Sequence, residues 1–121
     1  MRAALAGFAA VLEVDDDIVA PPLLWSEARS ALHEARWRGE LTVAVAEEAR
    51  RRLDGLRVRP RSPKRLGQEA WRIADALGWK KTYDAEFVAL ASLLGCHLVT
   101  IDGRLRRGAD RLGFVVSPAE L

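Results

Sequence analysis

Thr82-Tyr83-Asp84-Ala85-Glu86-Phe87-Val88-Ala89-Leu90-Ala91, followed by Leu98-Val99-Thr100-Ile101-Asp102-Gly103-Arg104-Leu105, is the stretch that decides the fold. In the first run Phe87, Leu90, Ala91 and Leu94 recur at the spacing of one helical face, so a helix opens near Thr82, and Gly95 is placed to stop it. The second run is a short apolar strand with a carboxylate just past its end. A helix carrying Asp84 in its first turn, then a strand delivering Asp102, is the arrangement of an α/β layered protein, in which sites form at the carboxyl ends of the strands.

Outward from this pair the same alternation continues. Leu66, Ala70, Ile73, Ala74 and Leu77 give a helix that starts at Ser62-Pro63 and ends at Gly78. Before it, Leu56 to Pro60 alternates as a half-buried strand should, and Thr42 caps a helix running through Arg52. Ile18-Val19-Ala20 reads as a buried strand, Asp15 to Asp17 as the turn before it, and Pro21-Pro22 as the start of a helix to about Arg38 that Gly39 stops. Met1 to Leu12 reads as a helix with Leu5, Phe8 and Leu12 on one face. Phe114 to Ser117 is a last buried strand, separated from Leu98 to Ile101 by an Arg-rich turn or short helix. The expectation is a single three-layer α/β domain over residues 1–121, with a mostly parallel central sheet flanked by helices.

Composition narrows the class. Of 121 residues, 50% are hydrophobic and 30% charged, enough for one packed core and too regular for disorder. The apolar opening is short, broken by Gly7 and followed by acidic residues, which matches neither a signal peptide nor a membrane span. A lone Cys96 makes no internal disulfide, and His33 and His97 lack metal-binding spacing to each other, so a cytoplasmic setting is expected. Charge is uneven: up to Ala49 there are four Lys/Arg against nine Asp/Glu, and from Arg50 onward fifteen against eight. A basic half suits phosphate or an acidic partner, although solvated helix faces produce the same imbalance.

Three carboxylates carry the functional argument. Glu27 shares a helical face with Leu24, Ala28, Ala31 and Leu32, which points a charge toward apolar surroundings, a costly placement unless the charge is paired or bound to metal. Asp84 alone would serve as a helix-dipole residue, and Asp102-Gly103 alone as an ordinary turn. Together they bring hard oxygen donors without His or Cys from three elements toward one sheet edge, which selects Mg²⁺, with Mn²⁺ the other possibility. A divalent ion relieves repulsion among clustered carboxylates and activates water for attack on a phosphodiester. Lys80 and Lys81 before Asp84, and Arg104, Arg106 and Arg107 after Asp102, add cations for a phosphate backbone.

These blocks, with Val19-Ala20-Pro21-Pro22-Leu23-Leu24-Trp25-Ser26-Glu27 upstream, resemble the PIN-domain family, and within it the VapC-type toxin ribonucleases, from about Asp17 to the carboxyl terminus. The resemblance implies a Mg²⁺-dependent endoribonuclease acting on RNA, a homodimer inhibited by a cognate antitoxin protein. It implies that Glu27, Asp84 and Asp102 are the metal-site and catalytic carboxylates. Thr100 corresponds to a small polar residue beside the site, and Arg104 and Arg106 are expected near the substrate backbone. The family's opening strand and its terminal aspartate find no counterpart, so an N-terminally truncated sheet short of its middle strand is expected. Asp15 to Asp17 precede the Ile18 strand and belong at the opposite edge from the other acids.

That departure keeps a second function class open, a degenerate, non-catalytic PIN-like module that binds RNA or protein. A third, a receiver-like phosphoacceptor domain suggested by Leu12-Glu13-Val14-Asp15-Asp16-Asp17, lacks a strand-ending aspartate in mid-chain. Trp25, Trp37, Trp71 and Trp79 sit in or at the ends of helices and are expected in core packing or a dimer surface. Arg50-Arg51-Arg52 and the Arg57, Arg59, Arg61 series are excluded from the site.

Overall fold

The structure, a computed structural model, describes residues 11–14, 17–100 and 103–116. Its strands are β1 (Val11–Val14), β2 (Asp17–Ala20), β3 (Arg59–Pro60), β4 (Leu98–Val99) and β5 (Val115–Val116). Its helices are α1 (Leu23–Trp37), α2 (Val43–Asp54), α3 (Leu66–Leu77), α4 (Tyr83–Leu94) and α5 (Gly103–Ala109), the last followed by a 3₁₀ turn at Asp110–Leu112.

Local chemistry sets the helix ends. The Thr42 hydroxyl accepts from the Val45 N–H at 3.1 Å and so satisfies a donor that α2 leaves unpaired. Gly78 and Gly95 close α3 and α4 in the left-handed conformation, at φ 71° and 67°, where a side chain would be strained. The start of α3 is later than the sequence suggests: Pro63 accepts from the Leu66 N–H in a turn, and regular helix begins at Leu66.

The sheet order is β3-β2-β1-β4-β5. β2 pairs with β3 in parallel, and β4 with β5 in parallel, while β1 is antiparallel to both β2 and β4. Four strands therefore point one way and the middle one points back. This corrects the expectation for the amino-terminal region. Val11 and Leu12, read as the end of a helix, are half of β1, because they complete the hydrogen bonding of two neighbours at once, Leu12 lying opposite both Val19 and Leu98. The middle position, expected to lack a strand, is held by this strand of the same chain. Residues 1–10 lie outside the described residues, as do Asp15 and Asp16.

Two other strands are shorter than their apolar patterns. Only Arg59 and Pro60 of the 56–60 run pair, both exposed, at an edge where a proline without an N–H is tolerated. Thr100 and Phe114 fall outside β4 and β5, and Ile101 and Ser117 lie outside the described residues.

Helices flank the sheet, and the principal core forms where α3 and α4 pack together and onto it: Val19, Leu66, Ile73, Phe87, Val88, Leu90, Leu98, Leu105 and Val115 are all buried. In α4 the burial extends beyond the single stripe read from sequence, to Ala85, Val88 and Ala89, so this helix is enclosed nearly all round. A second cluster, Ala28, Leu32, Ala49 and Leu53, joins α1 to α2. No helix among the described residues is long and apolar enough to cross a membrane.

Candidate functional site

Since β2 and β4 both run opposite to β1, their carboxyl ends lie at the same edge of the sheet. From β2 the chain passes through Pro21 and Pro22 into α1, whose second turn carries Glu27. From β4 it passes through Thr100 and onward to α5. The first turn of α4 supplies Asp84. Glu27 and Asp84 line one cleft of about 440 Å³, together with Gly78, Trp79, Lys80, Lys81 and Tyr83 from the α3–α4 connection and Leu105 from α5.

The sequence-predicted residues are distributed as follows. Glu27 and Asp84 come together in the cleft. Asp102 lies outside the described residues, one position before α5, and Leu105 of that helix forms part of the cleft wall. Arg104 and Arg106 belong to α5, but their side chains lie outside what is described. Thr100, one position after β4, is 1% exposed, so its side chain faces protein instead of solvent. β2 begins at Asp17, opposite Val14 and at the other edge of the sheet from its carboxyl end, which puts that position away from the cleft.

Glu27 is half-buried, and its carboxyl is held above the usual 4.5 first by burial and then by the negative charges of Asp84 and Glu86. Burial also raises Glu86. Three carboxylates therefore share one field, and Glu86 is the one that sequence reasoning left out; its signal was an acidic side chain on a helix enclosed nearly all round. Trp79 and Tyr83 were also missed as cleft residues. Their signal was adjacency, since they bracket the lysine pair immediately before Asp84.

Lys80 and Lys81 make no ion pair among the described residues. On α2 the pattern is opposite: Arg50 pairs with Glu47 and Asp54 at 3.1 and 2.8 Å, Arg51 with Glu48 at 3.0 Å and Arg52 with Glu48 at 3.2 Å. That run is a self-compensated helix surface, as its exclusion from the site anticipated. Of the four tryptophans, Trp25 and Trp79 pack against the core, whereas Trp37 and Trp71 are exposed on α1 and α3. Trp79 lies on Gly108 of α5, where a Cβ would come within 3.0 Å of Cζ2 and 3.2 Å of Nε1. Arg111, donating to the Ala76 carbonyl, ties the turn after α5 to the end of α3.

The donor set suits a hard cation. Among the described residues no three His, Cys, Asp or Glu side chains gather closely enough to enclose an ion. Mg²⁺ does not require enclosure: it keeps several waters and takes one or two protein carboxylates together with phosphate oxygens. Glu27 and Asp84, which line one cleft with Lys80 and Lys81, are the carboxylates there that could contribute to such a site.

Compared with known proteins, the sequence matches the family model of the PIN domain over residues 2–111. No curated protein and no solved structure matches it. The matched span includes Glu27, Asp84 and the whole cleft wall, and nearly the full chain lies within it. With helices flanking a sheet in which four of five strands run the same way, this chain belongs to the PIN domain family, a nuclease-type fold whose members generally use divalent metal ions.

Proposed function

We propose that this protein is a Mg²⁺-dependent endoribonuclease, the toxin component of a type II toxin–antitoxin pair, with Glu27, Asp84 and Asp102 as its site carboxylates. The observation that carries the reading is the convergence of Glu27 and Asp84, from distant parts of the chain, on one cleft walled by Lys80 and Lys81. A half-buried acid whose proton affinity is raised by burial and by the charges of Asp84 and Glu86, as that of Glu27 is, is unfavourable for folding alone, and a cation relieves it. When bound, Mg²⁺ supplies the positive charge that polarises a water and a phosphodiester oxygen. Glu27 and Asp84 hold and orient at that point, the buried Thr100 hydroxyl positions a neighbouring carboxylate, and the lysines offset the charge of the RNA backbone. Trp37 and Val43, exposed around the turn joining α1 to α2, support the expectation of a homodimer.

The test is cleavage of a mixed structured and single-stranded RNA panel by the 121-residue chain, with Mg²⁺ or with EDTA. The expected result is cleavage that needs Mg²⁺ and falls at least about a hundredfold in Glu27→Gln and Asp84→Asn, in line with the loss of a principal electrostatic group. Cleavage indifferent to both substitutions overturns the reading.

A second reading, a non-catalytic RNA- or protein-binding module, is favoured by the direction of β1. Running backward, that strand ends at the opposite edge from the cleft and brings no terminal carboxylate to it. RNA binding without cleavage at any divalent ion concentration supports this alternative.

A further inference from the structure

We infer that the basic run from Arg57 to Arg65, on the β3 edge of the sheet, is a second docking surface outside the cleft, which holds the phosphate backbone flanking the segment at Glu27 and Asp84. The inference goes beyond the ribonuclease reading by adding a contact surface, and it rests on that reading for where the strand is cut.

Residues 55–68 carry five cations, Arg57, Arg59, Arg61, Lys64 and Arg65, and no carboxylate. The nearest acids along the chain, Asp54 and Glu69, are engaged by other arginines: Asp54 by Arg50 at 2.8 Å and Arg29 at 3.5 Å, Glu69 by Arg72 at 3.2 Å. The charge of Arg65 acts on Glu69, but Arg57, Arg61 and Lys64 make no ion pair among the described residues. The α2 arginines are the contrast, since each of Arg50, Arg51 and Arg52 meets a carboxylate of its own helix. A solvated helix face carries its own counter-charges, and the run before α3 does not.

Topology decides where these charges lie. β3 is parallel to β2, with Pro60 opposite Ala20, and the Arg61 N–H donates to the Ala20 carbonyl at 2.9 Å. Arg61 therefore stands at the carboxyl end of β2, the sheet edge from which the chain leads through Pro21 and Pro22 to α1 and Glu27. Val58 packs against the core, and its neighbours Arg57 and Arg59 are exposed. Lys64 and Arg65 follow, exposed, at the amino end of α3. That end of a helix favours anions, yet here it meets two cations, and Arg65 at the cap position offers no side-chain acceptor. Like charges crowded on one segment oppose the compact state, and a row of phosphates relieves them.

Continuity with the cleft favours a nucleic-acid backbone over an acidic protein. β3 is two strand positions from β1, about 10 Å at the spacing of a sheet, and β1 separates the two strands whose ends carry the cleft. At about 3.4 Å for each stacked nucleotide, a strand leaving the cleft reaches the run in roughly three nucleotides.

The experiment is fluorescence anisotropy of the full chain with EDTA, which removes cleavage from the measurement. The probes are labelled RNA strands of about 4 and about 16 nucleotides, lengths that bracket single-strand site sizes. Wild type is expected to bind the longer strand at least about tenfold more tightly. Combined Arg57→Ala, Arg61→Ala and Lys64→Ala should abolish that gain, leave the short strand unchanged, and make the salt slope on the long strand shallower by about 2.1, roughly 0.7 for each of three phosphates. Combined Arg50→Ala, Arg51→Ala and Arg52→Ala removes the same charge from α2 and should keep the gain. All three substituted side chains of the run are exposed or half-buried, so thermal melting is expected at or above wild type, and the corresponding glutamine variant repeats the test with side-chain bulk retained. Long-strand binding unchanged in the run variants, an equal loss in the α2 variant, an equal loss on the short strand, or no binding of either probe overturns the inference. So does displacement by polyglutamate of equal charge as readily as by unlabelled RNA, which would mark the run as a surface for acidic protein. Metal-dependent cleavage with long-strand binding indifferent to the run removes this inference and leaves the ribonuclease reading. Run-dependent binding of the long strand with no metal-dependent cleavage removes that reading and leaves this one.

Discussion

Gly108 and Trp79 share one volume: the side chain that α5 lacks at Gly108 is replaced by the edge of the indole, 3.0 Å from where a Cβ would sit. The contact joins the helix after β4 to the connection between α3 and α4, and so sets one wall of the cleft.

Gly108→Ala tests that contact. Alanine gains about 1 kcal/mol in helix propensity over glycine, whereas overpacking costs about 1–3 kcal/mol, so a net loss of up to about 2 kcal/mol is expected, and more for Gly108→Val. Pairing Gly108→Ala with Trp79→Phe should recover most of it in denaturant melts. An additive double mutant would show that the two residues do not meet.

Glu27 gives a pH-dependent stability. Its folded-state proton affinity is raised, so the folded state binds the proton more tightly than the unfolded chain does. Its stabilising contribution is present below the ordinary value of 4.5 and is lost as pH rises through the folded-state value. Without divalent ions, Glu27→Gln should therefore melt above wild type at pH 7, with the difference shrinking toward pH 4. Parallel melting curves at all pH values would contradict the assigned environment.

Divalent cation should act on the same group. A ligand that binds only the folded chain stabilises it by about 2.7 kcal/mol at roughly one hundred times its Kd. Mg²⁺ is expected to raise the Tm of wild type and to leave Asp84→Asn nearly unmoved, whereas Na⁺ at equal ionic strength should raise the Tm of neither protein. Equal shifts in both proteins would place the ion elsewhere.

Thr42 has a purely local role. Removing the hydroxyl that accepts from the Val45 N–H should cost about 1 kcal/mol in Thr42→Ala, with little loss in Thr42→Ser. RNA cleavage should be unaffected, because α2 contributes nothing to the cleft.

Helix ends were legible because their determinants act within a turn. Thr42 caps α2, Gly39 takes φ 78° after α1, and Gly78 and Gly95 end α3 and α4, all at the places their residue types indicate. Glu27 and Asp84 were legible for a related reason, since a carboxylate on an apolar helical stripe or in a first turn stands out against its neighbours. The strand Val11–Val14 did not announce itself. Four residues carry too little periodicity to separate strand from helix, and their state is set by hydrogen bonds to β2 and β4, the latter more than eighty positions away in sequence.

By itself the sequence determined helices α1 to α4, where most of them end, and the placing of Glu27 and Asp84 with neighbouring cations, because these depend on interactions within a few residues. Tertiary structure alone decided that β1 runs backward through the middle of the sheet and that Trp79 is wall while Tyr83 is open. Both depend on which distant backbone arrives alongside: two strands that need a hydrogen-bonding partner between them, and a glycine on α5 that leaves room for an indole.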